Sequence, residues 1–488
     1  QKRLRRNSRA PVASVQGHDR FDRHMSPTGA VAHSRLADLV GSARVIADPA
    51  QLAFYEIDGT RPSAALQPES SLQISEIIKF AAAERLGIVA TGGRTKLNIG
   101  LPPKRYDLAL DVSSLNKIIA YDPGDLTLSV EAGLPLAKLA PILAEHHQFL
   151  PLPVPFVSHT TIGGIIATGV DGPLRQFYGT ARDFLLGMEF VTGEGVAAKS
   201  GGRVVKNVTG YDIHKLMIGA LGTLGVITRV NFKTFPLPLG TRGFVGRFPT
   251  AQQACDMRNR IARSHLTPLT LDILSPSVTE IFESQTATQF ESEPMPSDVL
   301  SRTEWATSVG FAGNEKIRER YLADLQRIAE EAGGTGLSVP EKALPAAFSR
   351  EREFIPIALA SSPATTVIKM SVLPAKIADM LTAAQKAAEA NSLRWAALAR
   401  GLGIIYFALF PSALDDGSKQ RVVNTTDSVH EACAKLGGQS TIPWCPTTWK
   451  SNLKVWGPEN PDFPQMRKIK NVFDPQGILS PGRFVGGL

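Results

Sequence analysis

Apolar residues recur along the first half of the chain in two alternating rhythms. Over SSLQISEIIKFAAAERLG (70–87), Leu72, Ile74, Ile77, Ile78, Phe80 and Ala81 fall at helical spacing and Gly87 closes the run, which predicts a helix. The short strand IVATGG follows directly. LALDVSSLNKI (108–118) and LTLSVEAG (126–133) are β-rich runs punctuated by Asp122-Pro123-Gly124, and PLAKLAPILAEHHQ (135–148) predicts a helix opening on Pro135. LLGMEFVTGEGVAA (185–198) predicts a hairpin turning at Gly-Glu-Gly. Strands and helices alternating at this range indicate an α/β or α+β fold.

The Pro-rich stretch FKTFPLPLG (232–240) interrupts the pattern. Beyond it, amphipathic segments such as EKIRERYLADLQRIAEEAGG and PAKIADMLTAAQKAAEANS alternate with apolar strands such as TVIKMSVL and GIIYFALF. A second α+β unit is expected there. The end, FDPQGILSPGRFVGG, has too many turn residues for a helix and too many apolar ones for a free tail, so it is expected to pack back on the body. The resulting division is a disordered basic tail (1–35), a first domain (36–238), a second domain (239–462) and a returning C-terminal segment (463–488).

Length and charge sharpen this division. At 488 residues the chain exceeds one typical core. Residues 1–24 carry five of its eight net positive charges. The body is therefore close to neutral, which argues against nucleic-acid binding by the folded part. The tail is compatible with a transit peptide, but plain disorder, or sequence upstream of a start at Met25, accounts for it better. Cys255, Cys433 and Cys445 lie far apart and build neither an iron–sulfur nor a zinc site; they fit a reducing compartment. The longest strongly apolar run, residues 402–410, is too short to span a bilayer, so a soluble protein is expected.

Three glycine-rich loops carry the candidate chemistry: TGGRTKLNIG (91–100), SHTTIGGIIATGVDGPLRQFYGTARD (158–183) and SGGRVVKNVTGYDIHKLMIGALGTLGVITRV (200–230). Backbone amides surround phosphate oxygens only where no Cβ intervenes, and neighbouring threonine hydroxyls add donors. Taken one loop at a time, turns and close packing of helices on strands explain the glycines as well. None is a Walker A loop, and Gly219, Gly222 and Gly225 are spaced G-x-x-G-x-x-G, unlike a Rossmann fingerprint.

Read in order, TGGRTKLNIG, TIGGIIATG, YGTARD, KNVTGYDIHKLMIGALGTLGVIT and FDPQGILSPGRF resemble the FAD-linked oxidases with a PCMH-type, vanillyl-alcohol-oxidase-like flavin domain. Within that family the resemblance is greatest to the FAD-binding subunit of bacterial glycolate oxidase. It implies an α+β fold, a FAD-binding domain over 36–238 and a cap domain over 239–462. It further implies that Gly92, Gly93, Arg94, Thr95, Lys96, Thr160, Thr161, Gly163 and Gly164 hold the FAD pyrophosphate. Gly222, Thr223, Gly225, Val226 and Ile227 would touch the adenosine and isoalloxazine portions. Tyr211 and Asp212 match a Gly-Tyr-Asp segment that contacts cofactor or fixes a turn. Many relatives attach FAD through a histidine in the first loop, which has none here, so FAD is expected to be non-covalent.

The activity implied is oxidation of a short 2-hydroxy acid, glycolate to glyoxylate, with electrons leaving to an iron–sulfur subunit beside a sister flavin subunit. D-lactate, or a purely assembling role without turnover, are the alternatives. A cytoplasmic location is expected, any association with the inner membrane being made through those partners. Relatives that oxidise D-lactate carry a His-rich metal motif in the cap; here only His265 and His430 follow residue 240, so no metal is expected. No catalytic residue is assigned. Arg350, Arg352 and Arg400 are candidates for a substrate carboxylate, and IPWCPTTWK (442–450) for core, contact surface or pocket wall.

Overall fold

The computed structural model describes residues 29–203, 210–284, 299–458 and 461–488. Most of the basic tail, and VVKNVT within the third loop, lie outside the described residues. The first helix, Gly29–Val40, begins inside the stretch assigned to the tail.

Two larger sheets, with a two-stranded pairing of Gln148–Phe149 and Phe235–Pro236, build the first half. One has four strands in the order Val45–Ile46, Ala64–Leu66, Leu108–Asp111, Ile88–Thr91, the last three mutually parallel. Helix Ser71–Ala83 links two of them, capped by Ser70, whose hydroxyl accepts from Gln73 N, and buries Ile74, Ile77, Ile78 and Ala81 on the sheet. The other is antiparallel, in the order Ile118–Asp122, Thr127–Glu131, Val226–Lys233, Leu185–Val191, Ala197–Gly201. Its last two strands form the hairpin read from the sequence, with Gly195 at φ 72° in the turn.

The run 108–118 is not one strand. The Asp111 carboxylate accepts from Ser113 N at 3.0 Å, folding Val112–Ser114 into a 3-10 turn, so the two ends join different sheets.

An eight-stranded antiparallel sheet dominates the second half, in the order Thr335–Val339, Thr241–Phe248, Trp305–Ala312, Thr270–Leu274, Arg394–Arg400, Ile404–Phe410, Thr366–Ser371, Gln439–Trp444. Its two faces explain why GIIYFALF is apolar throughout. Ile405, Phe407 and Leu409 pack under helices Ala251–Arg263, Glu315–Glu331, Ile377–Ala390 and Asp416–Lys435. Ile404, Tyr406 and Ala408 face the other way, into a core shared with Ile99, Val170 and Leu221 of the first half. By the same alternation Lys369, Asp272 and Arg400 lie on this second face, and the register sets Lys369 opposite Tyr406 and Asp272 opposite Arg400.

The C-terminal segment crosses back to the first half. Ile88 N donates to Ile478 O (2.8 Å) and Ser480 N to Ile88 O (2.7 Å), extending the four-stranded sheet at its edge. A second tie is ionic. Lys450 is fully buried and spends all three of its N–H donors on the first half: Asp58 Oδ2 (2.7 Å), Asn98 O (2.5 Å) and Gly100 O (2.8 Å). Burial pushes its ammonium below the usual range, with Asp58 opposing.

Lys450→Met alone should therefore destabilise the chain by about 3–5 kcal/mol in urea unfolding, because Asp58 is left buried and unpaired. The double variant Lys450→Met/Asp58→Asn should recover much of that loss.

Candidate functional site

The first loop leaves strand Ile88–Thr91 at its carboxyl end, where parallel strands present their binding crevices. Arg94 is held in the left-handed region (φ 56°) by Asp111, 3.1 Å from its guanidinium, and by the Tyr55 ring, 4.8 Å from Cζ. Asp111 also accepts from the Tyr55 hydroxyl at 2.6 Å; burial, then this carboxylate, push the phenol up. Lys96 is 7% exposed and donates to Thr160 Oγ1 (2.5 Å) and Thr95 Oγ1 (3.1 Å). Burial lowers its ammonium to about 7, against the pull of Glu353.

Glycine is required here by close approach. A Cβ on Gly93 would stand 1.7 Å from His159 O, and one on Gly92 would stand 2.4 Å from Thr161 Oγ1. The two loops thus abut backbone to backbone. Thr161 caps helix Ile162–Thr168 by accepting from Gly164 N, and Gly163 N donates to Ala132 O at 2.7 Å. The third loop docks on the same helix through Gly219 N to Ile166 O (2.9 Å) and Leu221 N to Ala167 O (2.8 Å), then enters strand Val226–Lys233.

Together the three loops line one cleft of about 740 Å3. Gly92, Gly93, Arg94, Thr95, Lys96, Thr160, Thr161, Gly163, Gly164, Gly222, Gly225, Val226 and Ile227 all face it. Thr223 does not: its hydroxyl donates to Ala220 O (2.7 Å) and its carbonyl accepts from Lys470 (2.8 Å), so it fixes the turn. Tyr211, 91% exposed, and Asp212, paired with Lys215 at 2.7 Å, also lie outside the lining. The wall further includes Ala90, Val112, Ala132 and Arg483, the last reaching over from the C-terminal segment to donate to Ile99 O at 2.8 Å.

This wall suits a flavin dinucleotide. Cations and backbone amides share the lining with small apolar side chains, and two of its buried polar atoms, Thr91 Oγ1 and Arg483 Nε, have no partner among the described residues.

A second cavity of about 530 Å3 adjoins the first at Thr168 and Leu221, which line both. Its wall includes Lys369, Tyr406, Thr441, Trp444 and Trp456, and Lys369 is the one charged residue lining it among the described residues. IPWCPTTWK therefore forms buried pocket wall as well as core. Arg350, Arg352 and Arg400 do not line it. Arg350 donates to Phe282 O (3.0 Å), Arg352 to Glu353 Oε1 (2.9 Å), and Arg400 is clamped to Asp272 and Glu351 O. Beneath them burial, then Asp272, push the Glu351 carboxyl up to about 8. The sequence signal passed over was Lys369 itself, a lone charge in the apolar strand TVIKMSVL.

Comparison with known proteins agrees with this geometry. The FAD binding domain family matches residues 62–201, and the C-terminal domain family of FAD linked oxidases matches 242–441 and 455–484. The chain is 24% identical to glycolate oxidase subunit GlcD of Bacillus subtilis over 438 residues, 88% of this chain and 91% of that protein. It is 36% identical to glycolate oxidase subunit GlcE of Escherichia coli over 169 residues, 34% of this chain and 48% of that protein. Among solved structures, p-cresol methylhydroxylase superposes with a TM-score of 0.74 at 16% identity, covering 94% of this chain and 97% of that one, and shares the fold. No helix among the described residues is long and apolar enough to cross a membrane, and no cluster of three or more His, Cys, Asp or Glu there could hold a metal ion.

Gly93→Ala should abolish FAD retention while Gly202→Ala, whose added Cβ meets nothing within 4 Å among the described residues, should leave it unchanged. Flavin absorbance of the two purified variants decides the comparison.

Proposed function

Because the chain carries the flavin-binding and C-terminal domains of the FAD-linked oxidases in order, and so belongs to that family, we propose that it is the flavin subunit of a glycolate-oxidising complex. As a FAD-dependent oxidoreductase acting on CH–OH groups, it would convert a short 2-hydroxy acid, glycolate to glyoxylate, and pass electrons to an iron–sulfur partner beside a sister flavin subunit. Likeness to two different subunits of one named oxidase supports the assembly. Any contact with the inner membrane would come through those partners.

In this reading residues 36–238 hold FAD non-covalently, 239–462 cap it, and 463–488 close the site. Gly92–Lys96 and Thr160–Gly164 take the diphosphate with main-chain amides and the Lys96 ammonium. Gly222, Gly225, Val226 and Ile227 lie along the ring systems, with Thr223 supporting their turn. Bound FAD supplies the two-electron acceptor for the hydrogen leaving the alcohol carbon.

The observation that carries the substrate assignment is the adjoining cavity with Lys369 on its wall. A cation in a Trp-lined space that is otherwise uncharged among the described residues suits one carboxylate on a small molecule. Lys369 orients the acid, while Trp444, Trp456 and Val170 exclude water.

Under anaerobic conditions the FAD-loaded chain should bleach with glycolate or D-lactate. Binding without bleaching would instead favour an assembling subunit, and no binding of either acid sinks the substrate assignment. Lys369→Met should weaken binding of the acid by about 10- to 100-fold, the worth of one charge-assisted hydrogen bond.

FAD affinity should also depend on pH. Lys96 is half-charged near pH 7 in the empty site, and a diphosphate beside it raises its pKa, so binding takes up a proton above pH 7. Affinity should be flat below that pH and fall above it by up to about tenfold per unit, a slope that Lys96→Met removes.

A further inference from the structure

Tyr406 lines the cavity beside the flavin cleft, yet its proton is directed away from it. The hydroxyl donates to Asp171 Oδ1 at 3.2 Å, so what the phenol offers the cavity is the lone pairs of Oη. Asp171 comes from the loop after helix Ile162–Thr168, and its other oxygen is paired with Arg175. Both members of the pair are buried, Tyr406 at 2% and Asp171 at 8% exposure.

Asp171 also faces the other way. It lines a separate space of about 350 Å3 with Arg175, Gly179 and Thr180, and Val170 forms part of the wall of both this space and the Lys369 cavity. Arg175 and Thr180 on its wall are part-exposed. Burial works to raise the Asp171 carboxyl, but Lys369, Arg175 and Arg400 outweigh it and hold the group below its usual range, ionised and able to accept a hydrogen bond. Lys369 and Tyr406 are direct cross-strand partners, so a carboxylate on the ammonium brings an α-hydroxyl within range of the phenol.

The geometry points to Tyr406 and Asp171 as a proton relay for the alcohol: the substrate hydroxyl donates its proton to Tyr406 Oη while the Tyr406 proton passes to Asp171 Oδ1. This rests on the 2-hydroxy-acid reading. Electrons balance through the family's own chemistry: the C–H hydrogen leaves with its electron pair to FAD, the O–H bond breaks, and the carbon–oxygen double bond forms. The proton on Asp171 then leaves through the space lined by Arg175 and Thr180. Tyr406 acts as the catalytic residue, since it touches the reacting hydroxyl, and Asp171 as a positioning residue acting through it.

Calorimetry on the FAD-loaded full chain with glycolate and with acetate, which lacks only the hydroxyl, tests the contact without requiring turnover. Wild type should bind glycolate about tenfold more tightly than acetate, one hydrogen bond's worth. Tyr406→Phe should bind the two alike, with acetate affinity unchanged. A preference that survives in Tyr406→Phe, or that is absent from wild type while both acids bind, overturns the relay alone. Failure of wild type to bind either acid overturns the substrate reading and the relay with it. In anaerobic reduction, Tyr406→Phe should slow flavin bleaching by about 10²-fold or more, the usual worth of positioned proton transfer. Asp171→Asn should slow it while leaving the glycolate preference intact, because the amide oxygen still accepts from Tyr406 but takes no proton. Equal loss of binding and rate in Asp171→Asn would mark a structural role and overturn its place in the relay.

Discussion

A glycine stands at position 93 because its α-carbon lies so close to the His159 carbonyl that a β-carbon would sit 1.7 Å from that oxygen. No rotamer relieves such a clash, since both atoms are fixed by backbone. The contact brings the loop after strand Ile88–Thr91 against the segment leading into helix Ile162–Thr168, and Lys96 closes it by donating to Thr160. The third loop then docks on the far end of that helix at Ile166 and Ala167. Each later feature follows from this stacking: one cleft in place of three turns, and a second cavity that shares Thr168 and Leu221 with it.

The same stacking fixes where the second half must sit. Its large sheet is covered on one face by its own helices, so the other face needs a partner, and loops of the first half provide part of it. That face is not purely apolar. It carries Asp272, Lys369, Arg400 and Tyr406, charges and hydroxyls that would be costly to bury alone. Asp171 answers Tyr406 from across the seam, Glu353 accepts from Phe156 N at 2.7 Å, and Lys450 reaches Asp58. The halves are joined by apolar area but registered by these bonds, since a slip would strand each buried partner.

Much of this was legible from local pattern. The helix over 71–83, the hairpin at 185–201 and the glycine loops all declare themselves within a few residues, because capping, periodicity and turn chemistry act at short range. The break inside the β-rich run 108–118 is not legible in the sequence, because it depends on a single carboxylate, Asp111, turning back on Ser113 N. Arg350, Arg352 and Arg400 were chosen for their chemistry, but each is held by a carbonyl or carboxylate that comes close only in the fold. Lys369 was visible as an isolated charge among apolar neighbours. What could not be seen was that strand alternation and the 369–406 register turn it toward the first half.

The polar cluster at the seam is best understood by asking which of its charges are satisfied. Arg400 faces Asp272 across adjacent strands and also donates to Glu351 O, while burial and then Asp272 push the Glu351 carboxyl above its usual range. Arg175 is occupied by Asp171. Within this arrangement Lys369 is the cation on the cavity wall, and the other described residues lining the space are uncharged. The network thus does two things with one set of residues. It neutralises the guanidinium groups that would otherwise compete for an acid, and it leaves the ammonium beside a tyrosine whose proton points elsewhere. A small anion carrying a hydroxyl meets complementary groups at both ends, whereas a plain carboxylate or a plain alcohol meets only one.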